Sequence, residues 1–599
     1  MSVSESSSST IGRFAQRRRA GHVSVRRQRG VTAILAAVCI GLAIAALGVI
    51  DVGNYYFARR EMQRTADLAA AAGAQTISNG GGCTSATNSA NNNAVKGNGL
   101  STGATVTVVC GRWDPTVNAG QSYFATSGAP MNAVQVTVSQ TVPYFFAGPA
   151  RVIQAVSTAQ ATNIRSFSVT TSLATLSGGL LNGLLNGLLP GANLNLSVAS
   201  YQGLATTQIK LGDLAAALNI GTMSQLLGTQ VSLAKLVSAM ITAAGKSATV
   251  GVTAITDLGT IQAAIPSGLN VALGANSTTN GLLTVALDDP QAAVNATVNV
   301  LDALLVAAEV AQGQSAVNLG TALNLSPIAT VTAQAKILEP PVIAVGEAGQ
   351  NADGTWRTSA HSASVRLYLN ISLLQLNLVL INLSALNLPI YVEADPGTAY
   401  LQSTQCTTTQ QTSQSVIVAQ AGLASACIGM DAASNFTNTT TAGTCLQPVP
   451  VTSVTVLGID ALSVSVGNPN TSPPSGLLVK LKAASSYPMT FSGVPNSPTA
   501  YQSTNTNALG AATTGVLTQL ASELPSSVYA TLGGVVVSST SVVGIAVSSL
   551  LSAVVSLLSP ILNSLDALLV PLLQLLGVQI GVATVHDLGL ACGQAQLVY

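Results

Sequence analysis

Ionisable side chains are scarce in this chain. They make up 7% of its 599 residues, against about 25% in ordinary soluble proteins. With a formal net charge of +1 and 4% aromatics, there is no basic face interleaved with stacking rings, so no nucleic acid is expected as a partner. Histidine is scarcer still: His22, His361 and His586 are the whole set. That leaves little material for a histidine metal site or a catalytic triad. His586-Asp587 could pair a base with its orienter, but adjacent residues seldom face one another. No Gly-x-Ser-x-Gly elbow occurs. Gly245-Lys246-Ser247 resembles the end of a phosphate loop, but Met240 stands where that loop needs its first glycine. These absences predict a non-enzymatic protein with no cofactor, no metal and no small-molecule substrate.

What is present is apolar. Hydrophobic residues supply 48% of the chain, the reverse of the high-charge, low-hydrophobicity signature of disorder, so it should fold, with many strands. Its charges are unevenly placed. Arg13, Arg17, Arg18, Arg19, Arg26, Arg27 and Arg29 face one acid, Glu5, in the first thirty residues. From Thr65 onward, twelve Lys and Arg stand against eighteen Asp and Glu. Between these regions, Gly30 to Ile50 carries no charge, and Asp51 is the first ionisable acid or base after Arg29. About 20 helical residues cross a hydrocarbon layer of ~30 Å, so Val31 to Ile50 reads as a transmembrane anchor in the lipid bilayer. The arginines outweigh Arg59, Arg60 and Arg64 beyond the span, which predicts a cytoplasmic N-terminus and an exoplasmic remainder. Tyr55, Tyr56 and Phe57 follow at the outer boundary, where amphipathic rings favour the headgroup layer. A cleaved signal peptide has a shorter apolar core and a small-residue cleavage site at its end. Here the nearest such pattern, Ala43-Ile44-Ala45, lies inside the run, so the anchor is expected to be retained.

The stretch from Arg29 to Gln75 has an Arg-Gly entry, the apolar span and an Asp-x-Gly exit at Asp51 and Gly53. It continues through an aromatic-then-basic run to Gln63, Asp67, Ala69, Ala72 and Gly73. This pattern resembles the N-terminal signature of TadG-like proteins of the Tad/Flp (tight adherence) pilus assembly system. Val106 to Pro115 and Met131 to Gly148 show strand-like alternation and resemble the second region of that family. Weaker echoes follow at Leu196 to Leu214, Ile337 to Gly349 and the C-terminus. The resemblance implies a bacterial inner-membrane protein whose partners are other pilus assembly proteins. Many TadG-like proteins also carry a von Willebrand A-type domain with an Asp-x-Ser-x-Ser metal motif. This sequence lacks that motif, since Asp460 is followed by Ala461 and Leu462, which argues against metal-dependent adhesion.

Ala66, Ala69, Ala70, Gly73 and Ala74 form a small-residue face at helical spacing. Such a face suits either helix–helix association or packing on the protein's own next domain. The aromatics Trp113, Tyr144, Phe145 and Phe146 read as core, and Asn79 to Gly103 as a polar loop. Farther on, Ser166 to Leu176, Asn193 to Lys210, Ala329 to Leu338, Ala363 to Leu376, Val451 to Val466 and Leu477 to Lys482 read as strands. Asn468 to Gly476 reads as a turn. Asp289-Pro290 is a helix start for the stripe Val294, Val298, Leu301, Leu305 and Val306. The repeat at Leu180 to Pro190 places leucines on one helical face. Val547 to Val578 is apolar but interrupted at Pro560, Asn563, Asp566 and Pro571, so buried or membrane-surface helices are expected there rather than a second crossing. The expected fold class is α+β. A cytoplasmic basic tail (1–29), a transmembrane helix (30–52) and a juxtamembrane helix (53–78) precede a small β-rich domain (79–165). A larger, mainly antiparallel exoplasmic region (166–599) completes the chain.

Cys39 lies in the apolar span. The other six, Cys83, Cys110, Cys406, Cys427, Cys445 and Cys592, are even in number and lack CxxC spacing, which suits structural disulfides in an oxidising compartment. Cys83 and Cys110 share the small domain and should pair. The remaining four permit three pairings, of which Cys406 with Cys427 and Cys445 with Cys592 is favoured. Three other roles compete with membrane-anchored pilus assembly: a surface adhesin, a minor pseudopilin, and an exoplasmic hydrolase, which the missing histidine and acid clusters oppose. A pseudopilin cut after Gly30 would carry Glu at its fifth mature position, where this chain has Leu35.

Overall fold

The computed structural model describes residues 30–77, 82–118, 120, 122–146, 148–169, 178–247, 251–313, 315–318, 329–373, 377–378, 381–382, 386–438, 441, 443–456, 459–481, 486–495, 499–504, 516–533, 535–537, 542–575 and 582–598. The arginine-rich tail lies outside them. From the N-terminus the first elements are α1 (Val31–Thr76), α2 (Gly82–Asn92), a π-helical turn (Asn93–Gly97), β1 (Ala104–Trp113), β2 (Phe124–Ala125), β3 (Ala133–Val142), β4 (Arg151–Gln160), β5 (Ile164–Val169), α3 (Gly178–Leu188) and α4 (Val198–Thr206). The chain divides into two compact units: residues 1–62 with 139–154, and residues 63–138 with 155–599.

The smaller unit holds the first two-thirds of α1 and the turn between β3 and β4. The apolar span and the juxtamembrane segment are one uninterrupted helix rather than two, because neither proline nor a capping pattern intervenes before Thr76.

The larger unit is built from antiparallel sheets around a mixed core, as an α+β reading requires. Its first sheet runs in the order β2, β1, β3, β4 and then Gln596–Val598, so the C-terminus supplies the last strand. A second sheet runs Tyr501–Ser503, Thr584–Ala591, β5, Ile343–Gly346, Leu283–Ala286, and only its final pair is parallel. A six-stranded antiparallel sheet includes Ala329–Glu339, Ser364–Leu373 and Leu477–Leu481, at the expected positions; residues 374–376 and Lys482 lie outside the described residues. Of the strand expected at Ser166 to Leu176, β5 covers the first part, and residues 170–176 are not described.

The helical layer after β5 shows what the Leu-Leu-Asn-Gly repeat accomplishes. Leu181, Leu184, Leu185 and Leu188 are all buried, on one face at i, i+3, i+4 and i+7. The asparagines act on a neighbouring extended segment. Asn182 accepts from Leu196 N and donates to Leu196 O, each at 2.9 Å. Asn186 does the same with Leu194 at 2.7 and 3.0 Å. Two side-chain amides one helical turn apart thus take the place of a partner strand for backbone that would otherwise lack one.

Several expectations fail for identifiable reasons. Asn79 to Gly103 is not all loop: α2 and the π-helical turn occupy 82–97, because Ala86, Ala90 and Ala94 recur every four residues and are buried. Packing there overrides the poor helix propensity of Asn and Ser. Asn193 to Lys210 is not a strand. Ser197 caps α4 by accepting from Ser200 N, and Tyr201, Leu204 and Ala205 bury at helical spacing, leaving a short strand at Gln208–Lys210. The stripe from Val294 to Val306 is divided. Asp289 caps a 3-10 helix, Pro290–Asn295, and Thr297–Asn299 then pairs with Gln208–Lys210. Asn299 caps a second helix, Val300–Gln312. Val451 to Val466 is a hairpin, Val449–Val456 with Ile459–Val466. The apolar stretch near the C-terminus is one helix, Val542–Leu575, continuing through Pro560, Asp566 and Pro571. Asp566 is tolerated because its carboxylate accepts from Leu517 N at 3.3 Å and Thr518 Oγ1 at 2.9 Å. Among the described residues, α1 is the helix long and apolar enough to cross a membrane.

Candidate functional site

The span of α1 from Val31 to Ile50 presents exposed apolar side chains on all sides, as a helix meant for lipid does. Asp51 closes it and is only 2% exposed. A carboxylate at the end of an apolar span needs hydrogen-bond donors to offset its desolvation. Phe145 N donates to one of its oxygens at 2.7 Å and Phe146 N to the other at 3.1 Å. Sequence reasoning took Asp51 as a boundary marker and the two phenylalanines as core. Both phenylalanines are instead exposed, at 63% and 57%. Trp113 and Tyr144 are partly buried. The legible signal was the carboxylate itself, which had to find donors in a segment that the sequence did not identify.

Tyr56 and Phe57, one turn and more beyond Asp51, are 65% and 77% exposed, while Tyr55 is partly covered and meets Tyr56 edge-on at 6.4 Å.

Within the larger unit the small-residue face has one clear employment. Ala66, Ala69, Ala70 and Ala74 are fully buried. At Gly73 a Cβ would lie 3.0 Å from Val134 Cγ1, 3.3 Å from Ala86 O and 3.4 Å from Ala90 Cβ. The face therefore packs on α2 and β3, the protein's own next elements. Ser89 Oγ donates to Ala72 O at 3.0 Å. Gln75 ties the helix to the C-terminal segment, donating to Gly593 O at 2.9 Å and accepting from Ala595 N at 3.1 Å.

Comparison with known families agrees with these boundaries. The model of the putative Flp pilus-assembly TadE/G-like family matches residues 30–76, and that of the putative Tad-like Flp pilus-assembly family matches residues 72–162. Residues 30–162 are similar to Tad-like pilus-assembly proteins. The first match ends where α1 ends, and the second covers α2 through β4. A third model, a domain of unknown function (DUF8293), matches residues 177–311, the helical layer from α3 to Val300–Gln312. No curated protein and no solved structure matches the chain.

Three disulfides brace the chain. Cys83 pairs with Cys110 as expected, joining α2 to β1. The favoured pairing of the other four is corrected: Cys406 bonds Cys592, and Cys427 bonds Cys445. Cys427 lies on Ala424–Ile428 of the six-stranded sheet, whereas Cys406 follows Thr398–Gln405 of a different, four-stranded sheet. Cys39 is a free, exposed thiol in the span.

Two buried ionic clusters follow, the first of them outside the sequence-based reading. At the end of β1, Arg112 pairs with Glu347 at 2.5 Å and with Asp288, and donates to Pro130 O at 2.7 Å. Arg357 lies 2.8 Å from Asp288 and 2.7 Å from Glu347, the latter at ion-pair distance but off-line for a hydrogen bond. Burial, then the nearby Glu347 charge, pushes the Asp288 carboxyl up to about 6. Asp114 is held down to about 2: burial acts against its charge, but the Thr116 hydroxyl and further hydrogen bonds outweigh it. The cluster joins β1 of the Tad-like segment to segments that begin 176 residues later, at Asp288, and reach past Glu347, 235 residues later.

The second cluster separates His586 from Asp587. His586 Nδ1 lies 2.7 Å from Asp302 Oδ2, which also accepts from Ser168 Oγ at 2.6 Å. Asp587 points the other way, to the fully buried Arg165. Burial raises the Asp587 pKa and lowers that of Arg165, each in part opposed by the pairing of the two. Alternation along Thr584–Ala591 explains the divergence, since adjacent strand residues face opposite sides. Serine and imidazole converge on one carboxylate oxygen here, with Tyr501 stacked on the ring at 3.9 Å. A nucleophile–base relay needs the imidazole between hydroxyl and carboxylate; this arrangement has the carboxylate between them and reads as a structural lock.

Proposed function

We propose that this chain is a non-enzymatic, single-pass component of a Tad-type pilus assembly or tight-adherence apparatus in the bacterial cytoplasmic membrane. Its N-terminus faces the cytoplasm, and the bulk of the chain makes protein–protein or envelope contacts outside. The observation that carries this reading is the α1 helix, which runs from an exposed apolar span into a buried small-residue face without interruption, with the two Tad-type matches meeting at residues 72–76. The arginine excess before the span supports the orientation, and three disulfides suit an oxidising exterior.

Protease added to intact spheroplasts should degrade the chain beyond about residue 60 and leave an N-terminal fragment that becomes sensitive on lysis. Protection of the large fragment refutes the orientation. Cross-linking in piliated cells should recover other pilus assembly proteins. A deletion strain with normal pilus number and adherence refutes the role.

A further inference from the structure

We propose that the β3–β4 turn is a second membrane contact, with Phe145 and Phe146 inserted at the headgroup–acyl boundary of the outer leaflet beside Tyr56 and Phe57. This inference rests on the reading of α1 as a bilayer anchor.

The geometry fixes the depth. Asp51 stands 20 residues after Val31, which on a helix is about 30 Å, one hydrocarbon thickness. The Phe145 and Phe146 amides bond the Asp51 carboxylate at 2.7 and 3.1 Å, so their rings are held at that level by their own backbone. The segment is suited to the place. Residues 141–150, TVPYFFAGPA, carry no charge, and prolines at 143 and 149 bracket the aromatics. Both phenylalanines are more than half exposed, as are Tyr56, Phe57 and, on the adjoining start of β4, Val152. Apolar rings clustered in water at the end of a transmembrane span are unfavourable, whereas in the interfacial layer each contributes apolar burial. Asp51 has a defined task in this arrangement: it spends its charge on two peptide N–H groups that would otherwise be desolvated by lipid. Continuity with the lipid-facing helix favours a bilayer over a protein partner as the occupant.

The test uses the full chain in lipid nanodiscs with an environment-sensitive fluorophore on single thiols. Cys39, the free thiol of the native chain, reports the anchor. F146C in a C39S background reports the turn, and T102C in the same background reports an exposed loop. The Cys39 label should be quenched by lipids brominated deep in the acyl chain. The Phe146 label should be quenched several-fold more than the Thr102 label by lipids brominated near the headgroup, and shielded from aqueous iodide. Asp51→Leu should abolish the difference at the turn while leaving quenching at Cys39 unchanged. Iodide access at the turn equal to that at Thr102 overturns the proposal. So does iodide shielding without quenching by brominated lipid, which would mean that a protein or a second copy covers the turn. Loss of quenching at Cys39 instead refutes the anchor itself.

Discussion

Replacing Arg112 by methionine should destabilise the larger unit far more than replacing Asp288 by asparagine. The cluster holds two guanidinium groups, Arg112 and Arg357, against three carboxylates, Asp114, Asp288 and Glu347. Arg112 is 5% exposed at its side chain, and burial, which works against its charge, is outweighed by Glu347 and Asp288. Arg112→Met leaves three buried acids with one cation, and breaking a buried pair in this way costs about 3–5 kcal/mol. Asp288→Asn leaves two cations with two acids. It loses charge-assisted hydrogen bonds of about 1.5–3 kcal/mol but also removes the burial and the Glu347 repulsion that raise Asp288, so its net cost should be within about 1 kcal/mol. The pH dependence separates the two variants further. A carboxyl raised from 3.8 to about 6 binds its proton more tightly in the folded chain. Its contribution is therefore full below the unfolded value and is lost as pH rises through about 6. Lowering the pH from 7 to 5 should stabilise the native chain through Asp288, and the Asp288→Asn variant should lack that part of the gain. The assay is chemical denaturation of the full chain in detergent, followed by far-ultraviolet dichroism at both pH values. Equal costs for the two substitutions, or an unchanged pH response in Asp288→Asn, would refute the charge count.

Peptide mapping without reductant should recover Cys83–Cys110, Cys406–Cys592 and Cys427–Cys445, with Cys39 alone alkylated; a Cys406–Cys427 peptide would contradict the placement of those strands in separate sheets. Gly73→Leu should cost several kcal/mol by forcing α1 off Val134 and α2, whereas Gly73→Ala should cost about 1–3 kcal/mol from overpacking, partly offset by about 1 kcal/mol of helix propensity; protease resistance of the Tad-like segment reads both. Asn182→Leu should cost about 1–3 kcal/mol because Leu196 N and O and the Tyr201 hydroxyl lose their partner, while Asn182→Gln should fail to restore the loss if amide reach, rather than polarity, is what the repeat supplies.

The sequence by itself determined the features that depend on local composition and spacing. A charge-free run of bilayer length marks a candidate anchor wherever it occurs. Alanine every three or four residues marks a close-packing face, and Asp-Pro starts a helix whatever follows. The two cysteines of one small domain could hardly pair otherwise. What tertiary structure decided are the cases in which a segment's state depends on a distant partner. α2 is helical because α1 presents alanines to it, although its own residues favour a loop. The stripe after Asp289 breaks because Thr297–Asn299 is claimed by Gln208–Lys210. Cys592 reaches Cys406 because the C-terminal strand returns to the sheet edge beside β4. Asp51 was legible as a boundary but not as an anchor for the β3–β4 turn, since nothing local to residue 51 specifies which peptide N–H groups, almost a hundred positions later, will meet its carboxylate. Charges so sparse could not be paired from sequence either: Arg112, Arg165 and His586 each meet carboxylates that only the folded sheets bring within about 3 Å.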